Sequence, residues 1–137
     1  EYFTMSAAYR DQHGVAFPQN QTEYVTHAPK LMQAWSDDIL TDIPETFAAF
    51  DARISDALTE AASGGGRVLV VTSAGVIAGI MRRLMNLDIP AMTNVLLHTA
   101  NSSTHRIEVI RGTPFLNGYN GLAHLDTPDR AHARTYI

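Results

Sequence analysis

The residues Arg67-Val68-Leu69-Val70-Val71-Thr72 run directly into Ser73-Ala74-Gly75, and Val76, Ile77, Ile80, Met81 and Leu84 follow at helical spacing. No other stretch limits the fold as tightly. A Val/Leu run without polar alternation suits a strand buried on both faces, as in a parallel sheet, so 67–72 reads as a strand. A helix is expected over about 75–86, with Arg82 and Arg83 on its solvated face and Asn86 at its C-terminal cap. A tight turn from strand to helix aims the helix's first unpaired N–H groups at the C-terminal edge of the sheet. That arrangement suits a phosphate or an oxyanion. Thr72, Ser73, Ala74 and Gly75 stand at the junction.

The rest of the chain supplies the setting. A short helix covers the first eight or nine residues, and the remainder of 1–28, with Gly14, Pro18 and Gln19-Asn20-Gln21, reads as loop. Pro29 opens a helix to Leu40 with Leu31, Trp35 and Ile39 on one face. Phe47, Phe50, Ile54, Leu58 and Ala61 make an apolar stripe over 44–62, and Asp42 and Glu45 have capping-box spacing at its start. Ser63-Gly64-Gly65-Gly66 ends that helix; it precedes the strand, so it is a turn and not a P-loop. Pro90 opens a short helix through Leu97, and Asn101-Ser102-Ser103 is a turn. Residues 105–110 alternate as a strand, and Gly112-Thr113-Pro114 turns the chain into a second one over 115–119. The pattern is α/β with a mixed sheet. We read 1–137 as one domain, with a helical cap-like segment at 1–43, an α/β core at 44–125 and a polar tail at 126–137.

Composition narrows the functional classes. The formal charge is −4, and Lys30 is the single lysine, so nucleic acid and an anionic membrane surface are poor partners. No apolar run reaches the length of a transmembrane helix. Glu1-Tyr2-Phe3-Thr4 has neither the basic start nor the apolar stretch of a signal peptide. With no cysteine, disulfides and thiol catalysis are excluded, which is compatible with a cytoplasmic protein. The six histidines lack metal-binding spacing, so no metal and no other cofactor is expected.

Several motifs in order resemble the histidine phosphatase (phosphoglycerate mutase-like) superfamily. They are Glu45-Thr46-Phe47, Gly64-Gly65-Gly66, Thr72-Ser73-Ala74-Gly75, Asn101-Ser102-Ser103 and His124-Leu125. The ending Asp126-Thr127-Pro128-Asp129-Arg130 is similar to a bacterial subgroup with T-S-G-G where most members have S-H-G-G. The resemblance implies a three-layer α/β sandwich with a mixed, mostly parallel sheet. It also implies a phosphatase or mutase acting on a phosphorylated small molecule, with a homodimer left open. In that family a first strand ends in R-H-G, and its His attacks phosphorus to form a phosphohistidine. Arginines and a second His hold the phosphoryl oxygens, and a carboxylate protonates the leaving oxygen.

Two departures shape the expectation. No R-H-G follows a strand here: Gln12-His13-Gly14 and Arg130-Ala131-His132 are the nearest strings, and His13 reads as a loop residue. We therefore expect the first strand and its nucleophile upstream of Glu1. Ser73 stands where the family has its second His; it can donate a hydrogen bond but brings no charge, a loss of about 1 kcal/mol or more. Ser73, Ala74 and Gly75 are thus the expected phosphate contacts, with Thr72, Glu45 and His124 as candidate pocket residues. For Glu45 a helix-start role, and for His124 and His105 a structural one, are the plainer readings. Two alternatives stand beside the enzyme. One is a noncatalytic relative binding an anionic ligand or a partner chain. The other is a serine hydrolase, with Ser73 followed by Asp88 and His124.

Overall fold

A computed structural model describes residues 2–136. The chain begins with two helices, α1 (Tyr2–His13) and α2 (Gln21–Ser36). Then come α3 (Phe47–Ser63), α4 (Ala74–Met85), α5 (Ile89–His98) and a hairpin of β1 (Thr104–Ile110) and β2 (Thr113–Gly121). Two short 3-10 turns, Ala123–Leu125 and Ala131–Ala133, complete the chain. Among the described residues, no helix is long and apolar enough to cross a membrane.

Local chemistry explains the helix boundaries, including those that the sequence reading misplaced. α2 starts at Gln21, and Pro29 lies inside it. Asn20 Oδ1 accepts from the Glu23 N–H at 3.0 Å, while Glu23 accepts from the Asn20 amide and the Gln19 N–H at 2.7 and 2.8 Å. This reciprocal cap starts the helix, and core packing of Leu31, Met32 and Trp35 helps to carry Pro29 within it. α1 runs four residues beyond its expected end, so His13 is its last residue and not part of a loop. For α3 the capping side chain is Thr46, which accepts from Ala49 N–H at 3.2 Å; Asp42 lies outside the helix. α4 ends as expected, at Asn86 in the left-handed conformation (φ 53°), which Asn tolerates better than most residues.

The helices share one core, with Leu31, Met32 and Trp35 from α2, Phe50 and Ile54 from α3, Ala78 from α4, and Met92 and Leu96 from α5. Gly79 lets α3 and α4 approach: a Cβ there would fall 2.3 Å from Ile54 Cδ1 and 3.3 Å from Phe50 Cε1. Trp35 donates its indole N–H to Glu45 O at 2.9 Å and meets Phe47 edge-on. Arg82 and Arg83 are not a freely solvated face. Both reach Asp51 of α3, at 3.4 and 3.5 Å, and Arg82 also lies over the Phe47 ring.

The α/β class stands, but its sheet is small. Among the described residues, the sheet is the antiparallel β1–β2 pair, closed by Arg111 and Gly112, both with positive φ. That two-residue geometry matches the twist of a hairpin. The expected parallel strand at 67–72 is not paired. It runs as exposed chain, with Leu69 and Val71 each 89% accessible and Val68 and Val70 somewhat less so. The alternation is that of an extended segment. A strand is a pairing and not a local conformation, and no neighbour is present for this one among the described residues.

Candidate phosphate site at the start of α4

Ser73 takes the N-cap position of α4 with an extended backbone (φ −96°, ψ 162°), and its carbonyl accepts the Ile77 N–H at 3.0 Å. Its hydroxyl makes no capping bond. By contrast, Asn20, Thr46 and Asp88 each accept from the backbone N–H three residues on. The first N–H groups of a helix have no partner within it, and here no side chain of the N-cap residue takes one. Ser73 and Thr72 are exposed, and a Cβ added at Gly75 would meet nothing within 4 Å. The junction therefore offers a free hydroxyl and open backbone donors at the positive end of a helix. These are the donors an anion needs.

The hairpin packs against the same helix and the end of α5. Gly112 and Pro114, at its tip, line a cleft with Arg83 and Leu84, near the C-terminus of α4. Its base is tied to the end of α5. Asn120 accepts from Ala100 N–H and donates to His98 O, while the Tyr119 hydroxyl donates to Val95 O. β2 also packs on α4. His124 follows directly, with Nε2 3.2 Å from Ser102 Oγ. The plainer reading of His124, as a member of a turn network, is what the geometry displays.

The other candidates are engaged elsewhere. Glu45 is held by Arg53 through two bonds of 3.0 and 2.8 Å, and its carboxyl pKa is lowered chiefly by that hydrogen bonding. A carboxylate kept ionised in this way is a poor proton donor. No hydrogen bond or ion pair among the described residues joins it to Ser73. His105 is structural: its Nδ1 accepts the Asn120 N–H at 3.3 Å, its Nε2 lies 3.0 Å from Ser103 Oγ, and burial lowers its pKa. The serine-hydrolase arrangement does not assemble. Asp88 caps α5 beyond the far end of α4, a helix about 18 Å long, from Ser73. No group of three metal-ligating side chains occurs among the described residues. Asn120 and the Glu45–Arg53 pair have no local sequence pattern to mark them, because each acts on residues 8 to 22 positions away.

Comparison with known proteins agrees with the family resemblance. A model of the histidine phosphatase superfamily (branch 1) matches residues 9–121, most of the chain, and the chain belongs to that superfamily. The matched region contains Ser73 and Glu45, and ends three residues before His124. No curated protein and no solved structure matches the chain.

Proposed function

We infer that this chain forms half of the phosphoryl site of a phosphomonoester hydrolase or phosphoryl-transfer enzyme working through phosphohistidine. The observation that carries the reading is the Ser73 hydroxyl, left uncommitted beside the open N–H groups of α4 in a chain of this superfamily. The nucleophilic His would arrive on a strand pairing with 67–72, whose apolar side chains are exposed without one. Imidazole nitrogen would form a bond to phosphorus as the bond from phosphorus to the alcohol oxygen breaks, the alcohol leaving with a proton from an acid. Water would then break the N–P bond and release phosphate. Ser73 and the N–H groups of Ala74 and Gly75 would donate to the non-bridging oxygens, stabilising charge where it develops.

The same site supports a second reading, a noncatalytic anion binder. What favours it is the neutral Ser73 where the family has a cation. Hydrolysis of an aryl phosphate by the protein from its whole reading frame separates the two. On the enzyme reading, Ser73→Ala lowers kcat/KM about 3- to 10-fold, the worth of one neutral hydrogen bond, and Ser73→His raises it. A background rate together with measurable phosphate binding would favour the binder. A rate indifferent to both substitutions would remove Ser73 from the site.

A further inference from the structure

A buried polar contact lies between α1 and α2. Ser6 Oγ, fully buried, is 3.2 Å from Nε2 of His27, which is 8% exposed. Tyr9 meets the imidazole edge-on and stacks on His13. The charges nearby are unfavourable to a cation. From α1, Arg10 donates to Ser6 O at 3.2 Å; from α2, Lys30 follows His27 by one turn; both act on the ring as like charges. Tyr24 and Glu23 precede His27 on α2, and the Glu23 oxygens are turned away to Gln19 and Asn20 at the helix start. No carboxylate among the described residues bonds the imidazole.

We propose that α1 is an acid-released clasp: when His27 gains a proton, Tyr2–His13 undocks from α2 while α2 to α5 and the hairpin stay folded. A neutral imidazole is satisfied by Ser6. A protonated one, from which Ser6 Oγ could still accept, would add a third positive charge beside those of Arg10 and Lys30 in a buried site, a cost that undocking relieves. Burial first, and these two cations after it, already hold the pKa below its ordinary 6.5. Docking is therefore complete above about pH 6.5 and is lost as pH falls through the lowered value. The opening is local because α1 packs chiefly on α2, giving the core the buried Met5 and, at its edge, the partly buried rings of Tyr2 and Tyr9. Its other ties include a Tyr2–Tyr24 ring stack to α2 and a Gln12–Thr41 hydrogen bond at 2.5 Å. Release would also dismantle the cleft that Tyr9 and His13 form with Lys30 and Pro90.

Amide hydrogen exchange of the whole chain at pH 7.5 and 5.0, corrected for intrinsic rates, tests the clasp. Protection of the α1 amides is expected to fall relative to α3, by about tenfold for each unit by which the His27 pKa lies below its free value. In His27→Gln, which keeps a partner for Ser6 but cannot take a proton, the fall disappears. Constant α1 protection in the unsubstituted chain, or an equal fall in the variant, overturns the proposal. Should the variant not fold, NMR titration of His27 decides: a pKa at or above 6.5 overturns it, and one clearly below supports it.

Discussion

Asn120 joins three parts of the molecule. Its side chain holds both the Ala100 N–H and the His98 carbonyl at the end of α5, and its backbone N–H holds the His105 ring. It does so at φ 54°, where Asn is among the few side chains readily accommodated. Because its N–H is directed at Nδ1, His105 is neutral there and carries its proton on Nε2, toward Ser103. Asn120→Ala removes both side-chain bonds and leaves the part-buried Ala100 N–H and the exposed His98 carbonyl to find water. We expect a loss of about 1–3 kcal/mol, seen as a lower denaturant midpoint with an unchanged slope. Asn120→Asp, which keeps the acceptor for Ala100 but loses the donor to His98, should lie between the two. A midpoint unaffected by Asn120→Ala would mean that water already serves these groups.

At the level of elements, 67–72 behaves as an edge with nothing beside it. Consecutive exposed Val and Leu residues with unpaired backbone make a hazard that folded proteins normally cover. Since Leu69 is 89% accessible, Leu69→Asp should change the stability of the 137-residue chain by no more than about 0.5 kcal/mol while improving its solubility. In a longer form in which a further strand buries this segment, the same change should cost a few kcal/mol. Equal effects in the two forms would argue that 67–72 never becomes an inner strand. This segment also marks what sequence can and cannot reveal. The α3 stripe of Phe47, Phe50 and Ile54, the Asn86 stop and the β1–β2 alternation were legible because their causes lie within a turn or two of chain. The start of α2 had a local signal as well, Asn20 followed by Glu23, but it sat in a polar run that resembles a loop. Pairing at 67–72 depends on chain elsewhere, so composition could suggest it but not supply it. At the candidate site, the turn-to-helix spacing points to Ser73 as the residue that opens α4, and it is the N-cap. That its hydroxyl is uncommitted, and that Glu45 belongs to Arg53, follow only from packing.

Across the whole molecule, proton binding should be the main lever on stability between neutrality and mild acid. His27 makes a buried contact between α1 and α2, and His105 lies at the base of the hairpin. In both, the pKa is lowered, first by burial, so the unfolded chain takes up protons more readily than the folded one. Stability from both is complete above about pH 6.5 and declines as pH falls toward their lowered values. Glu45 adds a later step in the same direction. Its carboxyl is lowered from 4.5 by hydrogen bonding to Arg53, so that contribution persists to below pH 4.5 and is then lost. Denaturant midpoints measured at pH 8, 7, 6 and 5 should thus be level at the upper end and fall below about 6.5. In a chain carrying His27→Gln and His105→Gln together, the decline between pH 7 and 5 should flatten even though the starting stability is lower. A decline of unchanged size in that double variant would assign the pH dependence to groups other than these two rings.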